Sequence, residues 1–205
     1  MGVCSLVKQK VLAGVLLFLV GGIALLGIIT AEVLYPGYST VQEISDLGAS
    51  RPPNSVIHQP SATIFNLTMM VCGAILLFTT YLMYNIFEDR FFTGALGLFG
   101  LGILGVGIFP GNVEPWHLLF ALITFVSGGF AALLCFRVVK TPFKYLSLVF
   151  GTISLVFLSS AIFLGDTNPL KFLGLGGIER WVVYPVLLWV TGFGGYLMGD
   201  VDKEE

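Results

Sequence analysis

The chain has 205 residues, of which 56% are hydrophobic and 11% are charged, and its formal net charge is −2. Soluble domains carry roughly 25% charged residues, so a water-exposed surface around the whole chain is excluded. A slightly negative chain offers no excess of Lys and Arg for phosphodiester backbones, and we expect no nucleic acid among its partners. The composition therefore predicts an integral membrane protein, with residues 1–205 forming a single membrane domain.

Six long apolar runs follow one another along the chain. A helix needs about 20 apolar residues to cross roughly 30 Å of hydrocarbon, and spanning segments must satisfy their own backbone groups. Because these runs show no alternation of apolar and polar residues, they predict an all-α polytopic protein with six transmembrane helices. We place the helices at about 11–34, 62–87, 94–109, 115–139, 145–164 and 180–199.

The distribution of Lys and Arg predicts the orientation of these spans. An even number of spans puts both termini on one side, and basic residues favour the cytoplasmic side of a membrane. The connections on the opposite side carry Arg51, Lys171 and Arg180. The side of the termini carries Lys8, Lys10, Arg90, Arg137, Lys140, Lys144 and Lys203. We therefore predict a multi-pass protein of the cell membrane with both termini in the cytoplasm.

The first loop, residues 35–60, is the longest connection and contains the polar stretch EISDLGASRPPNSVIH. Loops longer than about 12–15 residues without regular structure are usually functional or disordered. This one carries Val41, Ile44 and Leu47 at helical spacing, which is too apolar for a free linker. We expect the loop to fold back as an extracellular cap, with these three side chains facing the bundle.

The third run, GALGLFGLGILGVGIFPG, is rich in glycine. Small residues let helix backbones approach closely in lipid, where packing replaces the hydrophobic drive for association. We interpret this run as a central helix with neighbours on two faces, in preference to a flexible gating helix. Gly195 and Gly199 of the sixth run have the G-x-x-x-G spacing of a close helix contact. The glycine-rich faces are also candidates for contacts between copies in a homo-oligomer.

Titratable groups collect at the outer ends of the helices, and both histidines are among them. Glu114 and His117 begin the fourth run with a Glu-x-x-His spacing, which carboxylate-bridged metal sites in helix bundles use in pairs. His58, His117 and Asp46 would be the ligands of a divalent metal, the one cofactor that the sequence suggests. Alternatively, Glu114 complements the helix dipole and His117 anchors at the level of the lipid headgroups.

The same outer ends offer candidates for anion binding and for catalysis. The second, fourth and sixth helices begin there, so their unpaired amides point outward. Together with Arg51 and Arg180 they favour a bound anion such as a lipid phosphate, and Asn66 near the start of the second helix joins this group. The candidate acids and bases of a lipid-directed reaction are Asp46, Glu114 and His117.

Several short motifs resemble a known family. The segments ISDLG at 44–48, IFN at 64–66 and GIFPG at 107–111, followed by His117, are similar to prokaryotic six-span membrane proteins grouped as domain of unknown function 998. The resemblance covers roughly residues 11–199 and implies a six-span fold without an established activity. A more distant similarity to eukaryotic six-span proteins linked to GPI-anchor lipid remodelling implies a connection with lipids. The matched positions are Ser45, Asp46, Leu47, Gly48, Asn66, Pro110 and His117.

These observations leave three functions open. The first is a protein that binds or acts on a lipid headgroup at the outer face, with membrane lipids as its partners. The second is a non-catalytic scaffold or partner subunit that uses its glycine-rich faces. The third is a small-solute channel or carrier, which the shortage of charged residues in the membrane interior disfavours.

Overall fold

The computed structural model describes residues 3–200 and, within them, consists of helices without strands. Six helices are long and apolar enough to cross a membrane, which confirms the predicted fold class and number of spans. The six helices are α1 (Val3–Leu34), α2 (Ser61–Phe87), α3 (Arg90–Ile108), α4 (Trp116–Leu134), α5 (Phe143–Leu164) and α6 (Gly174–Gly199).

Three helices begin four or more residues earlier than predicted, α1 at Val3, α3 at Arg90 and α6 at Gly174. α3 begins at Arg90 because Asp89 caps it, accepting hydrogen bonds from the amides of Phe91 and Phe92 at 3.0 Å each. α6 begins at Gly174, in a glycine-rich stretch that the sequence suggests is a loop. The early start of α6 places Glu179 within the helix, on the face that is turned toward the first loop.

Five helices surround the interior of the bundle, and α5 lies outside them. α1 packs between α2 and α6, and α3 packs between α2 and α4. α4 and α6 contact each other less extensively, and α5 covers their seam by packing against both. In the most apolar 18-residue stretch of each helix, 28% of α5 is buried inside the bundle, compared with 61% of α3. The α4–α6 seam is therefore the least tightly closed joint of the ring.

The two ends of the bundle differ in their packing. Near the chain termini, Lys10 pairs with Asp200 at 2.7 Å and joins α1 to the end of α6. Phe193 is fully buried there and stacks on Trp189, with ring centroids 5.8 Å apart. We call this the terminal end and the opposite end, where the first loop lies, the loop end. The cytoplasmic location of the terminal end stays a prediction, and Lys203, which contributed to it, lies outside the described residues.

The glycines of α3 are used for packing inside the chain. A Cβ atom added at Gly100 would lie 3.1 Å from the backbone nitrogen of Leu77 in α2. One added at Gly102 would lie 2.5 Å from the hydroxyl oxygen of Thr124 in α4. α3 thus has close neighbours on two faces, as the glycine pattern predicts, and these glycines are not free for contacts between copies. A homo-oligomer stays a prediction.

The close contact between α1 and α6 is made by a glycine outside the G-x-x-x-G pair. A Cβ atom at Gly194 would lie 2.5 Å from the carbonyl oxygen of Gly14 and 2.5 Å from the backbone nitrogen of Phe18. Gly195 and Gly199 have no such neighbour within 4 Å among the described residues. The close contact predicted from their spacing is therefore wrong within the chain, because this pair faces outward.

The substitution Gly194→Ala should lower the stability of the protein, because the added methyl group forces two helix backbones apart. We expect a loss of about 1–3 kcal/mol, typical of overpacking in a tight core, measured as a lower unfolding temperature in mild detergent. Gly195→Ala is the matched control on the neighbouring position, and it should leave the unfolding temperature nearly unchanged. Equal unfolding temperatures for the two variants would contradict this view of the α1–α6 contact.

Candidate functional site at the loop end

The first loop packs against the helix ends in its middle, at residues 42–50, and is mostly exposed before and after that stretch. A short 3-10 helix at Ile44–Leu47 is buried, with Ile44 3% and Leu47 0% exposed. Val41, which we expected to face the bundle with them, is 61% exposed because the helical turn begins only at Ile44. Residues 51–57 are exposed. The side of the membrane on which this loop lies stays a prediction.

Glycine lets the backbone of the loop lie directly on two other parts of the fold. A Cβ atom at Gly176, in the first turn of α6, would overlap the carbonyl oxygen of Gln42. A Cβ atom at Gly111, between α3 and α4, would overlap the carbonyl oxygen of Ala49. Any larger residue at either position has to displace loop backbone, so these two glycines fix how closely the loop is seated.

Three residues of the family-like motifs lie at the loop end, and two of them are in contact. Gly48 of the loop packs against the side chain of Asn66 in α2, whose Oδ1 atom is buried without a hydrogen-bond partner among the described residues. His117 is 1% exposed, and its Nδ1 atom lies 2.8 Å from the carbonyl oxygen of Phe109, the residue that ends α3. A carbonyl oxygen can only accept, so Nδ1 carries the proton. His117 thereby fixes the α3–α4 connection.

Arg180 fastens the first loop to α1 and α6. Its guanidinium also lies over the ring of Tyr38, 5.6 Å from the ring centroid. Nη2 donates to Glu32 and to the hydroxyl of Tyr38, and the two N–H groups of Nη1 are shared among the carbonyls of Thr40, Gln42 and Gly176, which gives five contacts of 2.5–3.0 Å. The charge is thus neutralised by the carboxylate of Glu32. The predicted phosphate-binding role of Arg180 gains no support, because a phosphate would have to displace these acceptors.

The other predicted anion-binding arginine is also paired. Arg51 donates to the carboxylate of Glu43 at 2.9 Å, with side-chain exposures of 45% and 20%. Burial raises the pKa of Glu43, and the Arg51 guanidinium opposes this rise. Burial likewise raises the pKa of Asp46. Arg51 and Arg180, which the sequence suggests as phosphate-binding residues, therefore both already pair with a carboxylate of the protein.

The predicted metal ligands do not form a site. Within residues 3–200, no three His, Cys, Asp or Glu side chains are placed to hold a metal ion. The ring of His58 packs edge-on against Tyr35, with centroids 4.4 Å apart, and Glu114 is exposed on the α3–α4 connection. The structure therefore does not bring His58, His117 and Asp46 together as a ligand set, since His58 is held by an aromatic contact. The acid–base roles suggested for Asp46, Glu114 and His117 stay predictions.

Two adjoining cavities lie beneath the first loop. The inner cavity, of about 60 Å³, is enclosed by α1, α2, α3, α4 and α6 and is roofed by Ile44 and Ser45 of the loop. The lateral cavity, of about 120 Å³, lies at the α4–α6 seam under α5. Either volume exceeds the roughly 10–15 Å³ that a water molecule needs. The walls shared by the two are Ser45, Ala121, Phe125, Glu179 and Val182.

The lateral cavity has a polar end and an apolar wall. The polar end is formed by Glu43, Ser45, Arg51 and Glu179. The cavity reaches the surface of the bundle, because Leu175 in its wall is 66% exposed. The apolar wall consists of Ala121, Phe125, Leu158, Ala161, Leu175, Ile178 and Val182. This arrangement suits a molecule with a polar head and a hydrocarbon body.

Glu179 is the site residue to which the sequence alone assigned no role. It lines both cavities, and its Oε2 atom accepts a hydrogen bond from the amide of Ile44 at 2.5 Å, which caps the 3-10 helix of the loop. No Lys or Arg among the described residues pairs with it, because the adjacent Arg180 points to another side of the helix. The sequence does contain a sign that Glu179 lacks a partner on its own helix. The residues three and four positions away are Leu175, Gly176, Val182 and Val183, and none of them is Lys or Arg.

The substitution Arg180→Lys should loosen the first loop. Lysine keeps the charge but, as a compact ammonium on a flexible stem, cannot reproduce the fork that holds five acceptors. We expect amide hydrogen exchange in residues 38–48 to accelerate at least about ten-fold, which corresponds to roughly 1.4 kcal/mol.

Arg137→Lys is the matched control, since Arg137 pairs with Asp89 at 2.7 Å at the terminal end. It should leave exchange in the first loop unchanged. Unaltered exchange in the loop of Arg180→Lys would mean that the loop is held by other contacts.

Comparison with known proteins identifies the family but supplies no activity. No curated protein and no solved structure matches the chain. A family model described as "Protein of unknown function (DUF998)" matches residues 18–196, which include the whole first loop and most of the six-helix bundle. The match agrees with the resemblance carried by the motifs around Asp46, Asn66 and His117. The chain therefore belongs to the DUF998 family of proteins of unknown function.

Proposed function

We propose that the protein binds a membrane lipid in the lateral cavity, with the headgroup at Glu43, Arg51 and Glu179 and the hydrocarbon along the seam between α4 and α6. The observation that carries this proposal is the shape and polarity of the cavity. Charged side chains of the first loop and of α6 form one end of the cavity, and its apolar wall includes Leu175, which is exposed at the surface of the bundle.

The polar end of the cavity lies at the depth of lipid headgroups. Glu179 is in the second turn of α6, and Glu43 and Arg51 belong to the loop above it. Trp116 and Trp181 are exposed near the same level, at the starts of α4 and α6, where aromatic residues mark membrane interfaces. A lipid can thus enter sideways from its own leaflet without moving its headgroup through hydrocarbon.

The polar end, rather than the apolar wall, has to supply the selectivity. Hydrocarbon chains gain little by leaving lipid for an apolar groove, since both environments are equally apolar. Charged and hydrogen-bonding groups in a partly buried site contribute far more, because they are poorly solvated there. We therefore assign recognition to the residues beneath the loop and treat the seam as a guide for the chains.

The alternatives gain less support from the same structure. A channel needs a continuous polar path, whereas the walls of the inner cavity are mostly apolar, and the terminal end below it is filled by Trp189 and Phe193. A scaffold built on the glycines of α3 is disfavoured because those glycines already contact α2 and α4. We assign no reaction, because neither Asp46 nor His117 lines the two cavities.

Filling the cavity should abolish lipid retention without unfolding the protein. Ala161 lies in the wall on α5 and is partly exposed, so Ala161→Phe can be accommodated while its ring occupies the cavity. We expect at least a ten-fold loss of co-purifying lipid, measured by native mass spectrometry from mild detergent.

Val149→Phe adds a similar ring to an exposed position of α5 and should retain lipid as the unsubstituted protein does. Unfolding temperatures of both variants establish that they are folded, and Ala121→Leu provides a second way to fill the cavity. Equal lipid retention in all of these proteins, or no lipid on the unsubstituted one, would overturn the proposed function.

A further inference from the structure

We infer that the lipid recognised by this protein carries a primary ammonium group in its headgroup, which pairs with Glu179 in the lateral cavity. This inference rests on the proposed function and names the class of lipid. It depends on the ion pairs around the lateral cavity. Arg51 and Arg180 each have a carboxylate partner, whereas Glu179 has no basic partner among the described residues.

The basic side chains at the loop end already have protein partners. Arg180 pairs with Glu32 and Arg51 pairs with Glu43. Lys171 likewise interacts within the chain. An anionic headgroup would have to compete with these carboxylates and would also lie against Glu43 and Glu179, which repel it. The site therefore disfavours a lipid whose headgroup carries negative charge alone.

Glu179 has the opposite character. Its carboxylate lines both cavities, accepts one hydrogen bond from Ile44, and forms no ion pair with Lys or Arg among the residues that the structure describes. A carboxylate that is largely shielded from water is usually paired with an opposite charge. A carboxylate offers about four lone-pair sites, so capacity for another donor remains after the bond from Ile44.

A primary ammonium fits the acceptors of this cavity. It has three N–H donors, and the cavity is lined by Glu179, Glu43 and Ser45, residues whose side chains can accept hydrogen bonds. A quaternary ammonium carries the same charge but cannot donate hydrogen bonds to them. Arg51 lies at the exposed side and donates one hydrogen bond, to Glu43, so its guanidinium has further donors for the phosphate of a zwitterionic lipid.

The test is competitive lipid binding followed by native mass spectrometry. The full-length protein in mild detergent is incubated with an equimolar mixture of phosphatidylethanolamine, phosphatidylcholine and phosphatidylglycerol. We expect at least ten-fold more phosphatidylethanolamine on the unsubstituted protein than either of the others. Glu179→Gln should remove this preference and leave the weaker binding of the other two lipids unchanged.

The variant Glu179→Gln preserves the hydrogen bond between this side chain and the first loop. The amide oxygen of glutamine still accepts the hydrogen bond from Ile44, and slow exchange of that amide shows that the loop remains in place. Glu88→Gln neutralises an exposed carboxylate at the terminal end and should keep the preference. Equal retention of the three lipids, or a preference that survives in Glu179→Gln, overturns the headgroup assignment alone. Absence of all three lipids overturns the proposed function as well.

Discussion

The guanidinium of Arg180 is the interaction on which the loop end depends. It gathers acceptors from the end of α1, from the first loop and from the first turn of α6, and its charge is balanced by Glu32. Removing one partner of such a poorly solvated pair leaves a charge that neither water nor protein satisfies. Together with the close backbone contacts at Gly176 and Gly111, this side chain holds the loop over the inner cavity.

The bundle combines a closed end with an open one. At the terminal end, aromatic rings packed edge-on and face-on around Phe193 fill the interior. At the loop end, Ala121 and Ser45 leave space, and α4 and α6 do not close fully on each other. Rigidity at one end and space at the other are what a ligand site needs, because the packed half fixes the helices that line the cavity.

The sequence predicts the spans well and the site poorly, for physical reasons. Apolar run length dictates spanning helices, so six helices could be read from composition and spacing alone. The start of α6 could not, because glycine-rich GLGGIE is typical of a loop, whereas Gly176 is needed there to admit the carbonyl of Gln42. The role of Arg180 was also out of reach, since Glu32 is 148 positions away in the chain. Charge counting predicts that arginines bind anions, but it cannot reveal which carboxylates neutralise them.

The position of α5 outside the ring has a mechanical consequence. This helix has 22 residues, about 33 Å at the usual rise, which is close to the thickness of bilayer hydrocarbon. With little protein around it, its tilt responds to bilayer thickness more than that of any helix inside the ring. Since α5 forms one side of the lateral cavity, we expect the width of that opening to change with the thickness of the surrounding membrane.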